Sequence, residues 1–432
     1  MAVGARGWLV VGALAMAGCG GGGSSPDGGA GDDAAPALDG APRPDGAPQA
    51  CMAADLLTPL GKDHMLVGGS MADSTANSVP IDLRYLYLSG SVADGQGPCN
   101  SCASACTAGG TSCANSGPGC AWWGCWQYDQ DPPGAYVKAL LDKTAARQQL
   151  PWVTYYILLQ ASGVSEGAAE VTQANDAAFM RRYYADWRFL AQRIGTARAF
   201  LHIEPDFWGY AEQVNQDPHA IPAAVASANA TDCAGIENTI AGMARCMIAM
   251  VRKYAPNARV GLHASGWGTR QDVLNNRNTA LDVAAEARKL GAFMVALGAR
   301  DGDFVVIETS DRDAGYYASI GQPGRTWDAS NATLPNFTQA LTWARVLAET
   351  TQRPNIWWQM PLGNPMLANS NDMWRDNRLD YFLDHTRDVA AAHSAGVAFG
   401  AGAAGQTTPE TDMGHFAARV RAYQAAPQSV CP

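Results

Sequence analysis

The sequence predicts one large α/β domain of the (β/α)8 barrel type, and three observations lead to this prediction. Eight short apolar runs recur along the chain, stretches with a helical period separate most of them, and about 380 residues are available for one fold. Alternation of strands and helices on this scale is typical of parallel βαβ units, because parallel strands need long crossover connections. No Gly-rich phosphate loop follows any of the runs, which argues against a nucleotide-binding open sheet.

The first residues of the chain are predicted to lie outside this domain. Residues 1–18 contain a basic residue, Arg6, followed by a short apolar stretch and two small residues, which together are typical of a secretory signal. Cys19 follows at once, and this arrangement resembles the signal of bacterial lipoproteins. The resemblance implies that Cys19 is lipidated, and Gly20 after it favours delivery to the outer membrane or cell surface. A plain signal peptide with an incidental cysteine is the alternative.

Residues 19–50 are predicted to form a disordered tether between the anchor and the domain. They consist almost wholly of Gly, Ser, Pro, Ala and Asp, so they cannot bury enough apolar area to offset their chain entropy. Residues 51–432 then form the single barrel domain. The formal net charge of the chain is −10 and no basic cluster occurs, which argues against a nucleic acid partner. The expected contact with the membrane is through the Cys19 lipid only.

The cysteine content indicates a disulfide-bonded, exported protein. Eleven cysteines are present, and an even number remains once Cys19 is set aside. Cys51 and Cys431 lie at the two edges of the predicted domain, and Cys233 and Cys246 bracket a helical pattern, so each pair can form a bridge. The other six lie between residues 99 and 125, where three bridges would hold a disulfide-rich loop after the second strand. A zinc site on the first two cysteines of this loop is the weaker alternative, because no second CxxC pair follows.

The strands and helices of the barrel are predicted from apolar runs and helical periodicity. The eight expected strands are 65–69, 83–88, 152–159, 199–204, 259–263, 304–308, 355–359 and 397–399. The seven expected helices are 135–148, 174–194, 236–254, 280–293, 337–350, 378–394 and 414–425. Only residues 70–82 separate the first two runs, and they show no helical period. The first helix is therefore missing, or the first run lies outside a barrel of seven strands.

The end of the fourth run is the most informative position for function. The run ends in His202, Ile203, Glu204, Pro205 and Asp206. Side chains alternate along a strand, so His202, Glu204 and Asp206 are expected on one face. Pro205 has no backbone N–H for a sheet ladder, so strand pairing is expected to stop there. Acidic groups at the carboxyl end of a barrel strand lie where such enzymes place their chemistry.

Polar and aromatic residues also follow the later strands, and all these strand ends meet at one rim in a parallel barrel. The sixth run ends in Glu308 and is followed by Asp311, Arg312 and Asp313. Asp311 and Asp313 are candidates for catalysis, for loop capping or for salt bridges. The residues expected to contact substrate are His202, Trp208, His263, Trp267, Trp358 and Gln359, together with Trp122 and Trp123 of the cysteine-rich loop.

Two carboxyl groups on different strands, with tryptophans around them, suit the cleavage of a glycosidic bond. One carboxylic acid protonates the departing oxygen, and the other attacks the anomeric carbon or activates water. Indole faces suit the apolar faces of sugar rings. This part of the chain resembles retaining glycoside hydrolases built on (β/α)8 barrels. The resemblance implies that Glu204 is the acid/base and Glu308 the second catalytic carboxyl. Asp206 is a third catalytic candidate, and the alternative role for it is to orient Glu204 or raise its pKa.

The sequence also departs from that group of enzymes. In the largest such group the second Glu follows the seventh strand and an Asn precedes the first, a place that Ile203 takes here. The Glu204-Pro205-Asp206 and Asp311-Arg312-Asp313 tripeptides are similar to those of an inverting cellulase family with a seven-stranded barrel, but they occur in the reverse order. Retention and inversion therefore both stay open.

Two other functions are compatible with the sequence. The first is a metal-dependent hydrolase that uses His202, Glu204, His263 and Glu308, although their spacing matches no short metal-binding motif. The second is a surface lipoprotein that binds polysaccharide without cleaving it. The favoured prediction is a monomeric, lipid-anchored glycoside hydrolase that acts on a polysaccharide or oligosaccharide and needs no metal or other cofactor.

Overall fold

The computed structural model describes residues 51–90, 92, 106–108, 111–113, 126–127, 133–400 and 402–431. The predicted signal, the tether, Cys19, and Trp122 and Trp123 of the cysteine-rich loop lie outside these residues, so their predicted roles stay predictions. Within the described part of the chain, no helix has the length and apolar character needed to cross a membrane.

Eight parallel strands close into a barrel, which confirms the predicted fold class. In barrel order they are β1 (Leu66–Gly69), β2 (Leu83–Leu88), β5 (Leu150–Tyr155), β6 (Phe200–Ile203), β7 (Arg259–Ala264), β8 (Phe304–Glu308), β9 (Asn355–Met360) and β10 (Ser394–Phe399). Each of the eight predicted runs supplies one of these strands. The two short strands β3 (Cys106–Ala108) and β4 (Thr111–Cys113) form a separate antiparallel pair within the cysteine-rich loop.

The first strand belongs to the barrel, so the alternative of seven strands is not realised. Strand β1 pairs with β10 on one side and with β2 on the other, which closes the sheet. The crossover between β1 and β2 is the single-turn helix α2 (Asp73–Ser78), too short to show a helical period. A Cβ atom on Gly68 would lie 1.8 Å from the carbonyl oxygen of Leu83, so only glycine lets β2 approach this closely.

Helices surround the barrel, and eight of them correspond to the seven predicted segments, because one segment is split into two helices. These are α3 (Ala135–Ala145), α6 (Ala177–Ile194), α8 (Ile240–Tyr254), α9 (Val283–Leu297), α11 (Phe337–Thr351), α12 (Arg378–Asp384) with α13 (Thr386–Ala391), and α14 (His415–Ala425). Shorter helices complete the set: α1 (Met52–Leu57), α4 (Leu158–Ser162), α5 (Ala168–Gln173), α7 (Phe207–Val214) and α10 (Ala314–Ser319). Side chains of the residue before the helix cap the first backbone N–H groups of four helices: Asp176 caps α6, Thr239 caps α8, Asp282 caps α9 and Asn336 caps α11.

The interior of the barrel is closed below the strand ends by aromatic side chains. The Trp152 ring lies 5.7 Å from both the Phe200 and the Phe304 rings, and the two phenylalanine rings are 5.4 Å apart. These residues come from β5, β6 and β8, so they meet across the inside of the barrel. All three are fully buried, which makes this part of the barrel a packed core.

Both of the disulfides predicted outside the cysteine-rich loop are present. Cys51 pairs with Cys431 at a Cα–Cα distance of 5.6 Å, and Cys233 pairs with Cys246 at 5.4 Å. The first bridge joins the two ends of the described domain. The second joins the middle of α8 to the preceding loop, and it is the local pair that the sequence predicted.

Candidate active site

A cleft of about 410 Å³ opens at the carboxyl ends of the strands, which is the size of a small-ligand site. Its walls combine aromatic, amide and carboxyl side chains: Tyr87, Tyr156, Trp358, Gln160, Gln359, Asp206, Glu308 and Asp311. A larger hollow of about 540 Å³ runs along α13 and α14. Volume alone would favour that hollow, but the strand-end cleft is where the acidic groups converge.

Asp206 and Glu308 meet in this cleft, and the buried His263 lies beneath them. One oxygen of each carboxyl group and one ring nitrogen of His263 all lie within 4.8 Å of one another. The three residues come from the ends of the consecutive strands β6, β7 and β8, so the parallel barrel brings them together as its topology predicts. Glu308 is 15% exposed and Asp206 is partly exposed, so both carboxyl groups can reach a ligand in the cleft.

The two carboxyl groups are protonated more readily than isolated ones. Burial raises the pKa of Glu308 well above its usual range, and the negative charges of Asp206 and Asp311 add to the increase. Burial also raises the pKa of Asp206 to about 7, with further contributions from Glu166 and Asp311. Two carboxylates this close repel each other when both are ionised, so the pair tends to retain a proton.

Glu204, which the sequence placed beside Asp206 on one face, points elsewhere. Its backbone has a φ of +43° and that of Asp206 a φ of +66°, so the strand alternation stops at Ile203. The Glu204 Oε1 atom accepts hydrogen bonds from Leu158 N at 3.0 Å and from the Tyr183 hydroxyl at 2.8 Å. Its side chain is fully buried and does not line the cleft, so the structure pairs Asp206, rather than Glu204, with Glu308.

A chain of buried polar groups leads up the barrel interior to Glu308. Trp152 Nε1 donates to Thr154 Oγ1 at 3.0 Å, and Thr154 Oγ1 lies 3.2 Å from His202 Nδ1. His202 Nε2 lies 3.1 Å from His263 Nδ1, and His263 Nε2 lies 3.8 Å from Glu308 Oε2. Both imidazoles are buried, and burial lowers the pKa of His202 well below its usual value and that of His263 to about 3. The two histidines are therefore neutral and lie beneath the carboxyl pair, His263 beside Glu308 and His202 one step deeper.

Trp358 and Gln359 of β9 and Trp208 after β6 were all predicted to contact substrate, but only the first two reach the cleft. Trp358 and Gln359 line the cleft, and Gln359 accepts a hydrogen bond from the Tyr87 hydroxyl. Trp208, in contrast, is 1% exposed and donates its indole N–H to the carbonyl oxygen of Ile203 at 2.9 Å. Trp208, in the first turn of α7, therefore packs against the end of β6, because the turn after β6 directs its ring into the core rather than into the cleft.

Trp267 lies near the cleft rather than in its wall. It is partly exposed, and its ring is 4.6 Å from that of Tyr210 on α7. The backbone N–H of Tyr210 donates to the carbonyl oxygen of Asp206 at 3.1 Å, so this aromatic pair lies on the Asp206 side of the cleft. The pair can extend a binding surface beyond the carboxyl groups.

The two acids of the loop after β8 have different surroundings. Asp311 lines the cleft and forms an ion pair with Arg312 at 2.9 Å. Asp313 is fully buried, and its carboxylate accepts hydrogen bonds from Gly363 N at 2.9 Å and Thr407 N at 2.8 Å. Asp313 therefore joins the loops that follow β8, β9 and β10, which is the structural role that the sequence left open.

Several residues of the cleft were missed by sequence reasoning. Tyr87 and Ser89 lie at the end of β2, and Tyr156 and Gln160 follow β5. The signal that identifies them was present, because the carboxyl ends of the second and third barrel strands reach the same rim as the later ones. The sequence analysis relied on acids and tryptophans, which are frequent only at the later strand ends, so no substrate-contacting residue was predicted at the ends of β2 and β5.

Comparison with known proteins gives a similarity of fold. No family model and no curated protein matches the sequence. Among solved structures, the chain is similar to a modular endo-β-1,4-mannanase from Cellulomonas fimi, with 11% identity over 88% of this chain and 76% of that one, at a TM-score of 0.47. A xyloglucanase of glycoside hydrolase family 44 from Paenibacillus polymyxa shares 11% identity over 85% and 78% of the two chains, at a TM-score of 0.43.

A third similarity, to the endoglucanase Cel6 from Mycobacterium tuberculosis, spans 55% of this chain and 62% of that one, with 13% identity and a TM-score of 0.29. At these identities and TM-scores, the similarities add nothing to the barrel topology described above. The function proposed below therefore rests on the residues of the cleft.

Proposed function

We propose that this protein is a glycoside hydrolase that cleaves a polysaccharide or oligosaccharide with Asp206 and Glu308 as its two catalytic carboxyl groups. One observation carries the proposal: the two carboxyl groups, from different strands, face each other in an aromatic-lined cleft at the carboxyl end of the barrel. A glycosidic bond needs a proton donor on its oxygen and a second carboxylate at the anomeric carbon, and this pair supplies both.

The separation of the pair supports a retaining mechanism. One carboxyl oxygen of Asp206 and one of Glu308 lie within 4.8 Å of each other. Retaining enzymes hold their carboxyl groups about 5–5.5 Å apart, whereas inverting enzymes leave about 6.5–9.5 Å for a water molecule. At the shorter separation one carboxylate attacks the anomeric carbon directly. The other first gives its proton to the leaving oxygen and then takes a proton from the water that releases the sugar.

The rest of the cleft is suited to a sugar. Tyr87 and Tyr156 are partly exposed in the cleft wall. Trp358 is nearly buried, and among the described residues its indole N–H has no hydrogen-bond partner. Gln160 and Gln359 add amide groups that can bond to hydroxyls. Aromatic faces with a few polar groups are the combination that a sugar ring requires.

The proposed enzyme is exported and held at the outer membrane or cell surface by a lipid on Cys19. The signal-like residues 1–18, the cysteine after them and the tether-like composition of 19–50 support this part of the proposal. Cell fractionation of Cys19→Ser tests it: we expect a folded protein that no longer sediments with membranes, and continued membrane association would contradict the anchor.

Hydrolysis of a panel of β-linked polysaccharides, followed through released reducing ends, tests the catalytic pair. We expect Asp206→Asn and Glu308→Gln each to lower turnover by about 10²–10⁴-fold, the usual effect of losing a positioned proton-transfer group. Asp142→Asn and Glu349→Gln are matched controls on the surfaces of α3 and α11, and they should leave turnover unchanged.

Two further measurements refine this experiment. An aryl glycoside with a good leaving group needs no general acid, so it should restore turnover only in the variant that lacks the acid. The configuration of the first product, measured by NMR, should be retained. If a glycan is cleaved by the parent and both variants keep its full rate, Asp206 and Glu308 are not the catalytic pair.

A further inference from the structure

The three side chains that meet in the cleft also form a donor set for a divalent transition metal. Asp206, His263 and Glu308 each offer one ligand atom, and these atoms lie within 4.8 Å of one another. Two carboxylates and one imidazole suit zinc and the neighbouring first-row metals better than magnesium or calcium. Three protein ligands at a partly open cleft leave a further coordination position for water or a ligand.

An unpartnered nitrogen of His263 points to the same conclusion independently. The residue is 1% exposed, and among the described residues its Nε2 atom has no hydrogen-bond partner. The nearest ionisable oxygen is Glu308 Oε2 at 3.8 Å, beyond hydrogen-bonding distance. A buried polar atom without a partner is unfavourable, and a cation held between the imidazole and the carboxylates would provide one.

The other nitrogen of His263 is held as metal-binding histidines are usually held. Its Nδ1 atom lies 3.1 Å from His202 Nε2, and His202 Nδ1 lies 3.2 Å from Thr154 Oγ1. When His263 Nδ1–H donates to His202 and His202 Nδ1–H donates to Thr154, the lone pair of His263 Nε2 faces the carboxylates. Hydrogen bonds of this kind orient a ligating imidazole and fix its tautomer. The Trp358 ring packs edge-on against both imidazoles, which limits their rotation.

We propose that Asp206, His263 and Glu308 bind one cation of the zinc class, and that binding blocks glycosidic cleavage by engaging both catalytic carboxyl groups. Zinc ligands lie about 2.0–2.2 Å from the ion, so the three atoms would have to approach to roughly 3.5 Å of one another. The partly exposed Asp206 and Glu308 side chains can make this change by rotation. The blocking effect rests on the proposed function, whereas the binding does not.

Cobalt provides a probe of binding that does not depend on activity, because bound Co²⁺ absorbs visible light in a pattern that reports its ligands. We expect one equivalent of Co²⁺ to bind to the purified, metal-free, full-length protein, and Zn²⁺ to displace it. His263→Gln and Glu308→Gln should each weaken binding at least tenfold. Asp311→Asn, which removes an acid of the same cleft outside the trio, should change binding less than threefold. Two ligand variants keep the test valid if one of them fails to fold.

The outcomes separate binding from its effect on turnover. Inhibition of glycan cleavage by Zn²⁺, at the concentrations at which it displaces Co²⁺, supports the proposal. Absence of Co²⁺ binding, or equal binding by the parent and both ligand variants, overturns it. Turnover that is lost on chelation and restored by Zn²⁺ overturns the blocking role. If Co²⁺ binds through the trio but no glycan is cleaved, the metal site stands and the glycoside hydrolase proposal fails.

Discussion

The direction of the Asp206 side chain follows from backbone conformations that residues other than glycine seldom adopt. Glu204 has a φ of +43° and Asp206 a φ of +66°, and Gln359 in the same cleft has a φ of +56°. Each such conformation costs about 1–3 kcal/mol and persists only where the surrounding structure enforces it. At Glu204 the enforcing contacts include the hydrogen bonds from Leu158 N and the Tyr183 hydroxyl. Glu204 thus positions Asp206 from outside the cleft.

A conservative substitution separates this positioning role from catalysis. Glutamine at position 204 keeps an oxygen for the Leu158 and Tyr183 donors, so we expect Glu204→Gln to fold and to retain turnover within about tenfold of the parent. Tyr183→Phe, which removes one donor to the same oxygen, should behave similarly. The measurement is kcat on whichever glycan the parent cleaves, together with circular dichroism. A loss of 10²-fold or more in a folded Glu204→Gln protein would return Glu204 to the catalytic pair.

A partly buried acid, Asp232, also joins two helices of the barrel to each other. Asp232, in the connection after α7, accepts hydrogen bonds from Arg188 of α6 at 2.6 Å and from Lys253 and Tyr254 at the end of α8, at 2.7 and 2.8 Å. The adjacent Cys233 is bridged to Cys246 of α8. A covalent link to α8 and a carboxylate bonded to both α6 and α8 therefore hold this connection in place.

The carboxylate makes this link sensitive to acid. Burial alone would raise the pKa of Asp232, but the hydrogen bonds from Lys253, Tyr254 and Arg188 lower this pKa to about 2. A carboxyl group whose pKa is lower in the folded state stabilises the fold above its unfolded pKa of about 3.9 and loses that effect as the pH falls. We expect Asp232→Asn to lower the free energy of unfolding at pH 7 by about 1–2 kcal/mol.

Urea unfolding of the parent and of Asp232→Asn at several pH values measures this difference. The gap between them should be constant from pH 7 to about pH 5 and shrink between about pH 4 and pH 2, where the carboxylate takes up its proton. A gap that stays the same down to pH 2 would show that the ionised form of Asp232 contributes nothing to stability.

The whole molecule shows which features a single sequence can predict. Strand and helix periodicity was sufficient for the barrel, and regular alternation from Phe304 to Glu308 carries Glu308 to the rim as predicted. Alternation failed at Glu204 because contacts from distant helices set its backbone conformation, and those contacts have no local signature. Helix α2 was not predicted for a different reason, because its six residues are too few to show a helical period. Sequence therefore located the rim and named both acids of the proposed pair as candidates, while tertiary contacts brought Asp206, rather than Glu204, next to Glu308.

The bridge between Cys51 and Cys431 is a property of the whole domain, because it closes a loop of 380 residues. The bridge between Cys233 and Cys246 spans only 13 residues. In the chain-entropy model a disulfide stabilises by restricting the unfolded chain, by about 3 kcal/mol for a short loop and about 5–6 kcal/mol for one this long. Removal of the terminal bridge should therefore cost more, even though Cys51 and Cys431 are less buried than the other pair.

Matched double substitutions test this expectation in the folded protein. We expect Cys51→Ala/Cys431→Ala to lower the free energy of urea unfolding by about 2–3 kcal/mol more than Cys233→Ala/Cys246→Ala does. Alanine avoids placing a hydroxyl in the buried site of the shorter bridge, where it would need a new partner. If the shorter bridge costs as much or more, native contacts around Cys233 and Cys246 outweigh chain entropy. Turnover measured below the unfolding transition should be unchanged by the terminal pair, because Cys51 and Cys431 lie outside the strand-end cleft.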